Sequence, residues 1–222
     1  MTSILLINPN ISARTTQMML SVARPMAPPD CTIRGCQADR GAAMIVDEAA
    51  LAVSEEEVVR IGLEQAGSID AIIVAAFGNP GAGRLRQLLS IPIIGIGEAA
   101  IIEAATGGRR FGIATTTPGL VAAIEASVRD LGVAGAFTGV RLPAGDPLAL
   151  AADPAAQDEA LAAAATECVE KDGAESVIIG GGPLSESAAR LRRQFHATIV
   201  EPVPAAMRQL LQALTDRDGD RG

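Results

Sequence analysis

Residues 72–83 read IIVAAFGNPGAG. Four apolar residues, Ile72 to Ala75, run into turn-forming residues, after which the pattern becomes helical. A short continuous apolar run closed in this way predicts a strand buried on both faces. Glycine at its carboxyl end lets a ligand or another backbone approach closely, and Pro80 suits the first turn of the helix that follows. In an open parallel sheet this edge is where ligands bind. The same device returns about a hundred residues later as SVIIGGGPLSES, residues 176–187. Two such edges in one chain point to a site shared between two half-chains.

The rest of the chain alternates in the same manner. Strands are expected at 3–7, 31–36, 69–76, 91–96, 110–114, 136–142, 176–179 and 197–200. Helices are expected at 15–24, 47–65 (with a break or restart at Ser54), 82–89, 99–105, 120–131, 158–171, 185–194 and 204–214. Strand–helix alternation predicts an α/β fold of parallel sheets with helices on both faces.

An internal repeat runs through this pattern. SILLINPN corresponds to RFGIATTTP, IIVAAFGNPG to SVIIGGGPLS, and IPIIGIGEAA to ATIVEPVPAA. The spacings agree: Asn8 to Ala76 is 68 positions and Thr115 to Gly181 is 66. Ala76 to Ala99 is 23, and Gly181 to Ala205 is 24. The repeat divides the chain into a first domain of residues 1–98 plus 204–215 and a second of 99–203. Residues 216–222, DRDGDRG, are expected to be a disordered tail.

Composition narrows the function. Hydrophobic residues make up 49% and charged residues 20%, with no Trp or Tyr and only four Phe, so the core is aliphatic. The net charge is −8 and no basic stripe appears, which argues against nucleic acid as a partner. Cys31, Cys36 and Cys168 form neither a paired framework nor a metal-ligand spacing, and there is one histidine, His196, so no metal site is expected. The start of the chain lacks a signal-peptide pattern and no apolar run reaches membrane-spanning length, so the expectation is a soluble cytoplasmic protein with no membrane partner.

Facing halves would bring four strand-end loops together: Asn8-Pro9-Asn10, Phe77-Gly78-Asn79, Thr115-Thr116-Thr117 and Gly181-Gly182-Pro183. Amides, hydroxyls and free backbone N–H groups suit a small anion, a carboxylate or an enolate formed from one. There is no GxGxxG fingerprint and no GxxxxGK[ST] loop, so NAD and ATP are not expected. For proton transfer, the candidate groups are Glu98 and Glu201, each just past a strand end; each also reads as a charge complementing a helix N-terminus.

INPN, AAFGNPG, GIGEAA, ATTTP and IIGGGPL, in this order, resemble the aspartate/glutamate/hydantoin racemase superfamily, nearest its hydantoin and allantoin racemase branch. The resemblance implies two flavodoxin-like, Rossmann-like three-layer halves related by a pseudo-two-fold, with the site in the cleft between them. It also implies a cofactor-independent, homo-oligomeric enzyme acting on a small carboxylate, amino acid or ureide. Racemases of this kind use two cysteines, one from each half, on opposite faces of the substrate's α-carbon. The matching positions here are Ala76 and Gly181, which cannot transfer protons, and the usual aspartate of the first loop is matched by Asn79. Gly181 sits in a smooth GGGPL run that reads as native. Three functions follow: a racemase or isomerase with a non-thiol mechanism, a lyase or decarboxylase using the same anion-binding loops, or a non-catalytic metabolite binder.

Overall fold

The computed structural model describes the backbone of residues 1–219 and the side chains of residues 1–217. In the first half, β1 (Thr2–Asn8) is followed by α1 (Ala13–Ala23), β2 (Cys31–Gln37), α2 (Glu48–Gln65), β3 (Ala71–Val74), α3 (Ala82–Leu88) and β4 (Ile93–Gly95). Next come α4 (Ile96–Ala104), β5 (Phe111–Ala114), α5 (Val121–Asp130), β6 (Phe137–Arg141), α6 (Pro147–Ala152) and α7 (Pro154–Glu170). The chain ends with β7 (Ser176–Ile179), α8 (Ser185–Leu191), β8 (Thr198–Val200) and α9 (Pro202–Gly219).

These strands form two four-stranded sheets in the orders β2-β1-β3-β4 and β6-β5-β7-β8. Every pairing is parallel. The second order is the first displaced by four strands, which is the internal repeat read from the sequence, now as topology. In each sheet the chain reverses its direction of travel between the two central strands, β1 and β3 or β5 and β7. Strand-end loops at such a switch point diverge and leave a crevice.

The central strands are apolar on both faces because both faces are covered. Ile4, Leu6 and Ile73 on one side and Leu5, Ile7, Ile72 and Val74 on the other are each at most 1% exposed. Helix α4 packs along α9, and Arg208 of α9 donates two hydrogen bonds to the Glu103 carboxylate of α4 at 2.9 and 2.7 Å. The Ser176 hydroxyl of β7 donates to the Ala104 carbonyl that closes α4, at 3.0 Å. One apolar cluster runs through these contacts, from Ile4 and Ile73 of the first sheet to Phe111 and Ile178 of the second.

Several local expectations are corrected. Helix α2 has no break: the Ser54 hydroxyl donates to the Leu51 carbonyl at 2.7 Å, and the glutamates after it pair with arginines, Glu55 and Glu56 with Arg84 and Glu57 with Arg60. Helix α4 starts at Ile96 rather than 99, because the Asn79 side-chain oxygen accepts the Gly97 N–H at 2.9 Å and the Glu98 carboxylate accepts the Gly95 N–H at 2.9 Å. The first satisfies a first-turn N–H that would otherwise lack an acceptor, and the second the N–H of the N-cap residue. Helix α6 was not anticipated, and α7 begins at 154 rather than 158. Each opens on an Asp-Pro pair, in which Asp146 or Asp153 accepts two first-turn N–H groups and proline occupies the first helical position. Helix α9 continues to Gly219, so residues 216–219 of the expected tail are helical; 220–222 lie outside the described residues.

Where the halves meet, Gly182 leaves no space for a side chain. A Cβ built there would lie 2.7 Å from the Met19 sulfur and 2.9 Å from the Ala75 carbonyl oxygen. Backbone cannot yield cheaply, so Gly182→Ala is expected to lower unfolding free energy by about 1–3 kcal/mol. Gly83→Ala, in α3 with no atom within 4 Å of the added carbon, is expected to be neutral or to stabilise by up to about 1 kcal/mol. Urea midpoints of the two variants check the contrast.

Candidate active site

A cleft opens at the carboxyl ends of the four central strands. Its lining draws on all four loops: Asn10 after β1, Ala76, Phe77 and Gly78 after β3, Thr115 to Thr117 after β5, and Gly181, Gly182 and Pro183 after β7. Its volume is about 50 Å3. By the same measure one water needs roughly 10–15 Å3, so the cleft suits a small carboxylate or ureide ring and not a dinucleotide.

Hydrogen bonding decides which polar groups face a ligand. Asn8 is fully buried and committed: its amide nitrogen lies 2.9 Å from the Asn10 side-chain oxygen and 3.0 Å from the Thr16 hydroxyl, and its oxygen accepts the Asn10 N–H at 3.2 Å. The Asn10 oxygen also accepts the Ser12 N–H at 2.8 Å, ahead of α1. Asn10 thus has its oxygen occupied and its amide N–H groups left to donate. On the opposite side, the Thr115 hydroxyl donates to the Gly180 carbonyl at 2.8 Å and lies 3.3 Å from that of Thr117. This ties the β5 and β7 loops together.

Backbone N–H groups supply the remaining polarity. Among the described residues, those of Phe77, Gly78, Thr116, Thr117 and Gly181 donate to no protein acceptor. Residues from both halves that carry unpartnered N–H groups therefore line one small, largely apolar space, with Met44, Ile45, Leu51, Leu120, Ile124 and Leu184. Gly181 has φ of +137°, a conformation that favours glycine, and its backbone N–H is presented where side chains rarely permit it.

The structure brings together Asn10, Phe77, Gly78, Thr115, Thr116, Thr117, Gly181, Gly182 and Pro183, together with Ala76. It does not bring in the others. Asn8 supports Asn10 from behind, and the Asn79 oxygen is spent on the start of α4. Glu98 is bound to Gly95 N–H and ion-paired with Arg86. Glu201 lines a separate groove, paired with Arg192 at 2.8 Å; burial pushes its carboxyl up from the usual range, against the pull of that arginine. His196 is exposed, ahead of β8. No Asp, Glu, His, Cys, Lys or Arg lines the cleft among the described residues. Nor do three metal-ligating side chains of the His, Cys, Asp or Glu type meet anywhere among them.

Met44 and Ile45 were not foreseen. They sit in a stretch that reads as a loop, yet they reach the cleft because Asp47 pairs with Gly119 as an isolated parallel bridge across the two halves. The apolar run Ala42 to Val46, just ahead of Asp47, was the available signal.

A sequence profile described as Asp/Glu/Hydantoin racemase matches residues 4–210. A hydantoin racemase of Paenarthrobacter aurescens is 32% identical over 210 residues, covering 92% of this chain and 88% of the relative. The solved allantoin racemase of Pseudomonas fluorescens superposes with a TM-score of 0.90 at 27% identity, covering 96% of this chain and 91% of that one. That of Klebsiella pneumoniae gives 0.89 at 26% identity, over 97% and 88%.

Two outcomes are expected. Thr115→Val removes the tie to Gly180 and leaves a buried carbonyl short of a donor, lowering unfolding free energy by about 1–3 kcal/mol in denaturant titration. Cys168 is fully buried and burial pushes its thiol up to about 12, so iodoacetamide should leave it unmodified in the folded protein and alkylate it after denaturation, as read by mass spectrometry.

Proposed function

Because this chain belongs to the Asp/Glu/hydantoin racemase family, we propose that it is a racemase-type isomerase acting on a small carboxylate, amino acid or hydantoin-like ureide held in the cleft. The observation that carries the reading is that residues with unpartnered N–H groups, from two topologically equivalent sheets, line one small, largely apolar cleft. Such donors stabilise negative charge on a carbonyl oxygen as a proton leaves the adjacent carbon.

With Ala76 and Gly181 at the positions matched to the family's two cysteines, the proton goes to solvent. Hydroxide takes the α-proton and becomes water, and the electron pair moves onto the oxygen that the Phe77, Gly78, Thr116 and Gly181 N–H groups face. Asn10 and the Thr116 hydroxyl orient the ring. The enolate is planar, so water can return a proton to either face and release hydroxide, which racemises the centre without two opposed thiols. No cofactor enters this reaction. The same reading makes the protein a cytoplasmic homo-oligomer.

No cleft side chain titrates in the neutral range, so the exchange rate should rise about tenfold per pH unit between about pH 6 and 8 without a plateau. Incubation of hydantoins and acidic amino acids in D2O, followed by NMR, measures this. Loss of the α-proton signal with matching loss of optical rotation is expected. A bell-shaped profile would require an ionisable protein group and would contradict this mechanism.

A second reading, a non-catalytic metabolite binder, draws on the absence of any acid or base among the lining residues. Saturable binding of the same compounds with no deuterium uptake would favour it over the isomerase.

A further inference from the structure

Asn10, Phe77, Thr115, Thr116, Thr117 and Leu184 of the cleft lining are each at most 7% exposed, so a ligand has to pass some wall to reach them. The two halves share one apolar core and Gly182 packs against the Ala75 carbonyl, so parting the halves would break that core. Resting on the cleft being the ligand site, as proposed above, we propose that residues 41–46, GAAMIV, form a strap that opens to admit the ligand, and that Gly119 is the seat on which it closes.

The strap hangs between two firm ends. Before it, the Ala38 N–H donates to the Asn8 carbonyl at 2.9 Å, and Asp39 and Arg40 pair with Arg60 and Glu57 of α2. After it, the Asp47 carboxylate accepts the Ala50 N–H at 2.8 Å and starts α2. Between these ends no N–H of residues 41–46 donates to a protein acceptor among the described residues, and the Ala42 carbonyl accepts one bond, from the Ile11 N–H at 3.2 Å. None of these residues is buried. Segments with few buried contacts and few internal hydrogen bonds open at low free energy. Gly41, at the root, has φ of +118°, a conformation that favours glycine, and a Cβ there would meet nothing closer than Val53 at 4.0 Å.

Met44 and Ile45 bring this loosely held segment to the cleft, and the other walls do not share its freedom. Leu120 and Ile124, at the start of α5, belong to the core, and the Thr115 hydroxyl ties the β5 loop to the β7 loop. Met44 also borders a second cavity of about 250 Å3, which leaves its unbranched side chain room to move. The closed position depends on Gly119. A Cβ built there would lie 2.6 Å from the Val46 carbonyl oxygen and 3.3 Å from the Asp47 Cα, both backbone atoms at the end of the strap. Without a side chain at 119, the backbone of one half rests on that of the other in the Asp47–Gly119 bridge. Gly119 does not line the cleft, so its effect on a ligand runs through the strap.

Alkylation of a reporter thiol tests the strap without any ligand. Thr116→Cys places the reporter in the cleft at a position 4% exposed, and Cys168, fully buried in α7, reports global opening in the same sample. Labelling of the full chain with iodoacetamide is followed by peptide mass spectrometry. Gly119→Ala, by pushing Val46 back, and Gly41→Ala, by denying the root its φ, are each expected to quicken reporter labelling about tenfold and to leave Cys168 unmodified. Gly83→Ala, in α3 and away from the strap, should change neither rate. Reporter labelling that neither strap variant quickens, or that rises only in step with Cys168, would overturn the strap. If the labelling pattern holds while hydantoins show no α-proton exchange in D2O, the strap stands and the isomerase reading falls. Exchange with unquickened labelling removes the strap alone.

Discussion

The backbone of Gly180–Gly182 lies against the first half of the molecule with no side chain between. Gly182 sits under the Ala75 carbonyl and the Met19 sulfur, and the Phe77 ring covers the face of Gly180 where a Cβ would point. This approach sets the width of the cleft. It also fixes the height at which the two β-strand ends meet, and so which N–H groups share a ligand. A methyl group at position 182 would push the halves apart by more than packed atoms tolerate. Thr115 then locks the β7 loop to the β5 loop through the Gly180 carbonyl. The triple glycine is therefore an architectural contact before it is a binding loop.

Duplication explains the form of the site, and its departures from symmetry explain the chemistry left to it. Each half presents a polar loop (Asn8-Pro9-Asn10 or Thr115–Thr117) and a glycine-bearing loop (Phe77-Gly78 or Gly181-Gly182). Two-sided proton chemistry on a carbon acid requires an approach to each face of one atom, and paired halves offer it. On the proposed reading, the two positions that the sequence resemblance matches to thiols, Ala76 and Gly181, carry a methyl and a hydrogen. What remains is a set of fixed donors in an apolar space, where such dipoles act more strongly than in water. Stabilising an enolate and leaving proton delivery to solvent is the reaction consistent with that inventory.

Much of this was legible in the sequence, for physical reasons that can be named. Strands buried on both faces need unbroken aliphatic runs, so residues 72–75 and 176–179 announce themselves, and the repeat fixes their partners. The positions of Asn10, Thr115–Thr117 and Gly181 in the cleft follow from their being strand ends at switch points. Side-chain direction was not legible. Asn79 and Glu98 follow strand ends as the cleft-lining residues do, yet their oxygens turn back to satisfy N–H groups at the start of α4. Glu201 stands at the end of an edge strand, directly before α9, and its carboxylate pairs with Arg192 outside the cleft lining. The apolar walls at Met44 and Ile45 depend on a bridge between Asp47 and Gly119 that no local pattern encodes.

The central claim is that donors from both halves take hold of one small ligand together. Amide chemical shifts in a 15N-labelled sample titrated with a 5-substituted hydantoin test it most directly. The account predicts that Phe77 and Gly78 shift along with Thr116, Thr117 and Gly181, all following one saturation curve with a single Kd. Shifts confined to one half, or saturation elsewhere with these amides unmoved, would contradict it.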